Sequence, residues 1–250
     1  MATTNKLVVL TTGDPPAAVA AAHGSYAAMV LRALGPAWSG DSLEVDARTA
    51  SAAALAELTG GEPPGRAVAA VVVTGSSASV TEGAPWMTRA ASWLTSLLDL
   101  GIPTLGICFG HQLLAHGLGG RVGPNPAGHE IGTRRVRRCG EDPLLGDTPP
   151  EFWAHSFHGD TVVTPPAGAL VLAASDLDPH QCLRFGDRCY GLQFHPEFDL
   201  PVMRSLIAAR RELAEAAGLS ASELSGKARE APDARAVLRR FVHLFAARRD

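Results

Sequence analysis

Four cysteines in 250 residues are too few for a disulfide scaffold. None sits in a C-x-x-C pair or beside histidines at ligand spacing, so no metal site is expected. Cys182 and Cys189 are close enough for a hairpin disulfide or metal pair, but nothing around them supports one. The charge balance is equally plain. A formal net charge of −3 gives no electrostatic case for nucleic acid, so small charged ligands would have to be held by local dipoles. No uncharged apolar run reaches the ~18 residues that a membrane span needs. At the N-terminus Lys6 is followed by four apolar residues, Leu7 to Leu10, too short for a signal-peptide core. The expectation is a cytosolic protein that does not engage membranes. A phosphate-cradling G-x-x-x-x-G-K-[ST] loop is also missing.

What is present describes an enzyme-sized α/β domain. With 46% hydrophobic and 19% charged residues, the chain can form one core from 1 to 250, with a helical extension at about 220–250. Strands are expected at 6–12, 43–47, 67–74 and 102–107, separated by helices at 24–34, 51–58 and 85–100, with a Gly/Pro-rich loop from Gly60 to Gly65. The third strand is nearly all apolar, as a buried parallel strand is. Alternation of this kind specifies a mostly parallel, open, flavodoxin-like sheet with helices on its faces. Beyond Gly120 shorter strands follow, at about 131–138, 151–155, 161–164, 169–174, 181–185 and 189–194, as a mixed or antiparallel addition to the sheet.

The segment Gly106-Ile107-Cys108-Phe109-Gly110-His111-Gln112 joins the fourth strand to a helix ended by Gly119-Gly120. Glycines on both sides of the cysteine let backbone approach backbone, as a strained nucleophile turn requires. The helix N-terminus lowers a thiol pKa that is otherwise about 8.5. Far downstream, Gly191-Leu192-Gln193-Phe194-His195-Pro196-Glu197 offers a base. Pro196 holds His195 extended, and residues two apart on an extended chain share a face. His195 can then face the thiol while Glu197 takes its other nitrogen, giving a nucleophile, base and orienter in the order Cys, His, Glu.

G-I-C-F-G-H-Q and F-H-P-E, in this order and at this separation, resemble the class I glutamine amidotransferases, and most closely their stand-alone, GMP-synthase-like members. The resemblance covers nearly the whole chain. It implies Cys108, His195 and Glu197 as catalytic residues, with glutamate and ammonia as products and no cofactor. It also implies an oxyanion hole from the backbone around Gly75-Ser76, at the end of the third strand, with the Phe109 amide. Ser76 and Ser77 stand where many members have Gly-Pro, which leaves the donating loop amide open. By the same resemblance Gln112 contacts bound glutamine, and Ser156, Phe157 and His158 belong to an S-H-G-D-x-V-like stretch whose backbone holds the substrate's α-groups. The side chains of His155 and His158 read more simply as parts of a polar loop in which Asp160 fixes a turn, and His111 as structural. His129 and Glu130 lie near the mouth of such a site without a claim to it.

The partners implied are L-glutamine and a separate acceptor or synthetase subunit, since no ATP-binding acceptor module is visible in the sequence. Two alternatives stay open. The same thiol chemistry serves a γ-glutamyl hydrolase acting on γ-glutamyl amines or peptides, because only the pocket beyond the amide nitrogen separates the leaving groups. A weakly active regulatory or binding domain is the other. The basic run Arg134 to Arg138 is expected as a solvated strand surface, and the stripe Ala234, Val237, Leu238, Phe241, Val242, Leu244 and Phe245 as helix packing on the domain.

Overall fold

The computed structural model describes residues 5–60 and 67–246. The expected loop from Gly60 to Gly65 lies, from Gly61 onward, outside the described residues. The sheet is organised by its most apolar strand. β3 (Val68–Val73) is buried along its whole length, because a parallel strand covered on both faces has no position for a polar side chain. It pairs with β1 (Lys6–Thr11) and β4 (Thr104–Ile107). The nine-stranded sheet also includes β2 (Ser42–Asp46), β6 (Glu130–Arg138), β7 (Glu151–His158), β9 (Leu170–Ala174), β10 (Cys182–Gly186) and β11 (Cys189–Leu192). Its order is β2-β1-β3-β4-β11-β10-β9-β6-β7, parallel from β2 to β11 and antiparallel thereafter. This is the α/β architecture expected.

Two details of the second half depart from expectation. The strand at 161–164, β8 (Asp160–Thr164), leaves the main sheet and forms a separate ribbon with β5 (Arg121–Pro124). β5 was not foreseen, because its glycine and proline argue against a strand and pairing with β8 overrides them. The other detail is β7, which runs to His158 rather than stopping near 155, since every residue from Glu151 to His158 finds a partner on β6.

Alternation along the parallel strands divides the core. Leu7, Val9, Val72 and Leu105 pack on one face against α2 (Tyr26–Leu34) and α9 (Pro232–Phe241). Val8, Leu10, Val71 and Val73 pack on the other against α3 (Ala52–Thr59), α4 (Pro85–Asp99) and α5 (Phe109–Gly117). In α4 the buried stripe is Met87, Ala90, Ala91, Trp93, Leu94 and Leu97, with Trp86 and Leu98 at its edges. A short α1 (Ala17–His23), again not foreseen, precedes α2; its N-terminus has no side-chain cap. Ala17–Ala37 is long and apolar enough by composition to cross a membrane. It is broken at Gly24 (φ 84°), however, and packs Val19, Met29, Val30 and Leu34 inside the protein.

Among the described residues four α-helices follow the second motif where one or two were expected, α6 (Leu200–Ala209), α7 (Arg211–Ala216), α8 (Ala221–Lys227) and α9, the last running into a π-helical turn at Val242–Ala246. Of the arginine run on β6, Arg135 and Arg137 form the expected surface, whereas the Arg138 side chain is largely buried and Arg134 Nε is buried without a hydrogen-bond partner among the described residues. Arg135 pairs with Glu151, Arg137 with Asp176 and Arg138 with Glu141, while Val136 faces the core.

The tail stripe is part of the core: Ala234, Val237, Leu238, Phe241 and Val242 are buried, and Phe245 stacks on Tyr190 at 5.6 Å. Phe241→Ala should cost about 3 to 5 kcal/mol and lower Tm by on the order of 10 °C. A thermal melt of the variant tests this, and an unchanged Tm would mean that α9 does not hold the sheet.

Candidate active site

The parallel strands end on one edge, and their register decides what meets there. Val73 is level with Gly106 and Ile107 with Leu192. The next residues of each strand, Thr74-Gly75, Cys108 and Gln193 to His195, therefore come together although up to 121 residues separate them in sequence (195 − 74). Cys108 ties the edge together by donating its backbone N–H to the Leu192 carbonyl at 2.7 Å.

Cys108 has φ 51°, the one positive φ at a non-glycine among the described residues. It is the N-cap of α5, so the helix's positive dipole end lies beside it, although its side chain makes no capping hydrogen bond to the first-turn N–H groups. The flanking glycines are required sterically. A Cβ on Gly106 would stand 2.4 Å from the Gly110 carbonyl carbon, and one on Gly110 would stand 2.6 Å from the Val73 oxygen.

His195 lies against the thiol and is 4% exposed. Its Nδ1–H donates to Glu197 Oε1 at 2.7 Å, which leaves Nε2 for the sulfur. Phe198 stacks flat on the ring, 4.1 Å away at an interplanar angle of 4°. Burial alone would lower the His195 pKa, but the Glu197 and Cys108 charges outweigh it and raise it. For Cys108 burial alone would raise the pKa, and the His195 charge and hydrogen bond outweigh that and lower it. Cys182 and Cys189 are free and buried without such a partner. Burial there pushes both thiols up, Cys189 to about 12. The contact therefore favours a thiolate–imidazolium pair.

A second residue of the downstream motif reaches the sulfur. Gln193 Nε2 donates to Cys108 Sγ at 3.6 Å, and Gln193 Oε1 accepts from Gln112 Nε2 at 3.0 Å. Gln112 Nε2 also donates to the Asp160 carbonyl at 2.9 Å. Both its N–H groups are thus taken, leaving its carbonyl oxygen available.

The β3 loop is held just as tightly. Thr12 Oγ1 donates to the Thr74 and Gly75 carbonyls at 2.9 and 3.0 Å, and Thr74 Oγ1 lies 3.1 Å from the Gly75 carbonyl. A trans peptide points its C=O and N–H in opposite directions. With the Gly75 carbonyl fixed toward the threonines, the Ser76 N–H points away from them, and Ser76 lines the cleft. A Cβ on Gly75 would meet His195 Cε1 at 3.0 Å, so the loop, the histidine and the thiol are close neighbours.

These groups open into a cavity of about 280 Å³. Cys108, Phe109, Gln112, Phe157, His158 and His195 line it, and so does His129. His158 is not the loop residue expected. It ends β7, with Nε2 3.0 Å from Glu130 Oε2 and Nδ1 3.0 Å from the Asp160 carbonyl. Burial works to lower its pKa, and the Glu130 carboxylate overrides this and raises it. Ser156 is buried on β7 with an unpartnered hydroxyl and is not part of the cavity wall. His155 is also off the wall, its pKa lowered to about 4 by burial and then by His195; its carbonyl accepts the His195 backbone N–H at 2.8 Å. His111 packs against Gly191 and Phe185, held neutral by burial with a pKa of about 3. Thr12, Thr74 and Gln193 escape sequence reading because an ordinary strand-end residue acquires such a role only through register.

A strand–cysteine–helix elbow facing a His–Glu pair at the edge of a parallel sheet defines a cysteine-nucleophile α/β hydrolase or transferase. The family model for glutamine amidotransferase class-I matches residues 39–211, and the chain belongs to this family. It is 41% identical over 127 residues to the glutamine-hydrolyzing GMP synthase of Thermomicrobium roseum, covering 51% of this chain and 23% of that protein. The GMP synthase of Aeropyrum pernix is 40% identical over 129 residues, covering 52% and 24%. The chain thus spans about a quarter of each of these relatives. A glutamine amidotransferase structure from Thermotoga maritima superposes with a TM-score of 0.73 over 98% of this chain and 99% of that one, at 22% identity. One from Methylobacillus flagellatus gives 0.69 over 99% and 97%, at 17% identity. By family, the chain is a cysteine-based glutamine amidohydrolase.

The ion pair has a pH signature. With the Cys108 pKa lowered and that of His195 raised, the thiolate survives to a pH below the titration of a free thiol. Alkylation of Cys108 by iodoacetamide should show a midpoint below that of free cysteine. Glu197→Gln removes the charge that raises His195, so the imidazolium should be lost at a lower pH than in the wild type. Peptide-resolved alkylation rates against pH check this, and a wild-type midpoint at the free-cysteine value would refute the pairing.

Proposed function

We propose that the chain hydrolyses the side-chain amide of L-glutamine through Cys108, His195 and Glu197, releasing ammonia for a separate acceptor subunit. The observation that carries this reading is the thiol at positive φ on a helix N-terminus, facing a histidine whose other nitrogen is held 2.7 Å from Glu197. The Cys108 thiolate adds to the amide carbonyl carbon. As the C–N bond breaks, His195 passes its proton to the departing nitrogen, and ammonia leaves a γ-glutamyl thioester. His195, now neutral, takes a proton from water, whose oxygen displaces the thiolate to give glutamate. Glu197 orients the ring and favours its charged form.

The tetrahedral oxyanion would be met by the Ser76 and Phe109 amides. The Phe109 amide belongs to the first turn of α5, and that of Ser76 is aimed by the Thr12 clamp on Gly75. The α-ammonium group has the free Gln112 carbonyl and the Glu82 and Asp160 side chains on the same wall. By the family resemblance, the backbone of the stretch with Ser156, Phe157 and His158 holds the substrate's α-amino and α-carboxylate groups, and of these three residues Phe157 and His158 line the cavity.

Cys108→Ala and His195→Ala should each lower kcat for glutamine by at least about a thousandfold, and Glu197→Gln by less, since an orienter supplies geometry and charge rather than a bond or a proton. Thr12→Val keeps the shape of the side chain but frees the Gly75 carbonyl. It should reduce kcat about tenfold with little change in KM, and Thr12→Ser should restore most of the loss. Steady-state ammonia release, with a melt on each variant, measures both. Full activity in His195→Ala would overturn the assignment of the base.

A further inference from the structure

The cavity lining divides into two chemically unlike limbs. One is polar: Ser79, Glu82, Gln112, His129, His158 and Asp160, the wall assigned above to the glutamyl head. The other extends from His195 and is made of Phe198, Tyr26, Pro16, Leu206, Leu213 and Arg210. Phe198 covers the His195 ring at 4.1 Å, and Tyr26 stacks on Phe198 at 6.2 Å. Beyond them Arg210, half-buried at the break between α6 and α7, forms no ion pair with any described residue. It is the one arginine or lysine on the cavity wall among the described residues. The phenol of Tyr26 is held neutral by burial and by the Cys108 and Glu197 charges, and the Arg210 charge, near enough to act on it, opposes this. Leu213, 40% exposed, stands at the mouth. Pro16, Tyr26 and Leu213 lie outside residues 39–211, the range matched by the family model, and Phe198, Leu206 and Arg210 lie inside it.

The chemistry fixes which group enters which limb. His195 gives its proton to the departing nitrogen, so whatever that nitrogen carries must lie on the His195 side. Ammonia carries nothing, and has no use for an apolar wall ending in a guanidinium. We infer that the chain also hydrolyses γ-glutamyl amides whose leaving amine bears an apolar body and a carboxylate, as a γ-glutamyl amino acid does, with Phe198, Tyr26 and Leu213 covering the body and Arg210 pairing with the carboxylate. The inference rests on the Cys108 chemistry proposed above and deepens it. The amide C–N bond breaks, the amino acid leaves with the His195 proton, and water cleaves the γ-glutamyl thioester. The products are glutamate and the amino acid, and no oxidant, reductant or cofactor enters.

Four probes separate the possibilities: L-glutamine, γ-glutamyl-leucine, γ-glutamyl isopentylamide, which has the same body without the carboxylate, and γ-glutamyl cadaverine, which ends in a cation. For the wild-type chain, kcat/KM should favour γ-glutamyl-leucine over the isopentylamide by about tenfold or more. Arg210→Met should bring that ratio close to one, and Arg210→Glu should invert the preference toward γ-glutamyl cadaverine. Leu213→Asp, on an exposed side chain, should lower the same ratio and keeps the test open if Arg210 variants melt early. Hydrolysis of glutamine without γ-glutamyl-leucine would overturn this inference and leave the glutaminase reading standing. An equal loss on glutamine and γ-glutamyl-leucine in Arg210→Met would also overturn it, by placing Arg210 on the α-carboxylate that both share. No turnover of any probe would overturn the Cys108 assignment itself, and this inference with it.

Discussion

A cysteine held at φ 51° is costly, on the order of 1 to 3 kcal/mol, and the surroundings must impose it. Three constraints do so. β4 is hydrogen-bonded on both sides, to β3 and β11, so its last residue cannot swing. The Cys108 N–H is committed to Leu192. Gly106 and Gly110 press backbone on backbone, so α5 must begin immediately after the turn. Relaxing the turn would break the parallel register and lift α5, with Phe109, Leu113 and Leu114, from the second core. The strain is thus maintained by the packing of the whole sheet, and its effect is to hold the sulfur at the helix N-terminus in front of His195.

The charges around this point form a balanced set. A buried thiolate alone would be expensive, and so would a buried imidazolium or carboxylate. Placed together as Cys108, His195 and Glu197, each opposes the desolvation of the next, and Gln193 adds a neutral donor to the sulfur. Cys182 and Cys189 are as deeply buried, but their thiols move up rather than down. Position relative to His195, rather than burial, makes Cys108 different.

Much of this was legible in the sequence where a local pattern and the global fold agree. The run Val68–Val73 has no amphipathic alternative, so a buried parallel strand is its one use. Cys108 between glycines, after a strand and before a helix, admits few readings other than an elbow. His195 and Glu197 meet as expected, but not on an extended chain: β11 ends at Leu192, Pro196 and Glu197 form a turn, and the 2.7 Å hydrogen bond joins the two side chains across it. The rest depended on tertiary partners. β5 contains Gly123 and Pro124 and is a strand because β8 pairs with it. His158 looked like loop polarity because Glu130, 28 residues away in sequence, is what defines it. Thr12 and Gln193 are ordinary strand-end residues until register sets them beside Gly75 and Cys108. Tyr26, Phe198 and Arg210 meet through the packing of α2, α6 and the chain after β11, which no periodicity in the sequence records.

The central claim is that the Cys108 sulfur becomes covalently bound to a γ-glutamyl group during turnover. Acid quenching of the wild-type protein within a few turnovers of glutamine, followed by peptide mass spectrometry, addresses this directly. The account requires a γ-glutamyl thioester on the peptide carrying Cys108, lost on alkaline incubation. Turnover without any adduct there, or with the adduct on Cys139, would contradict it.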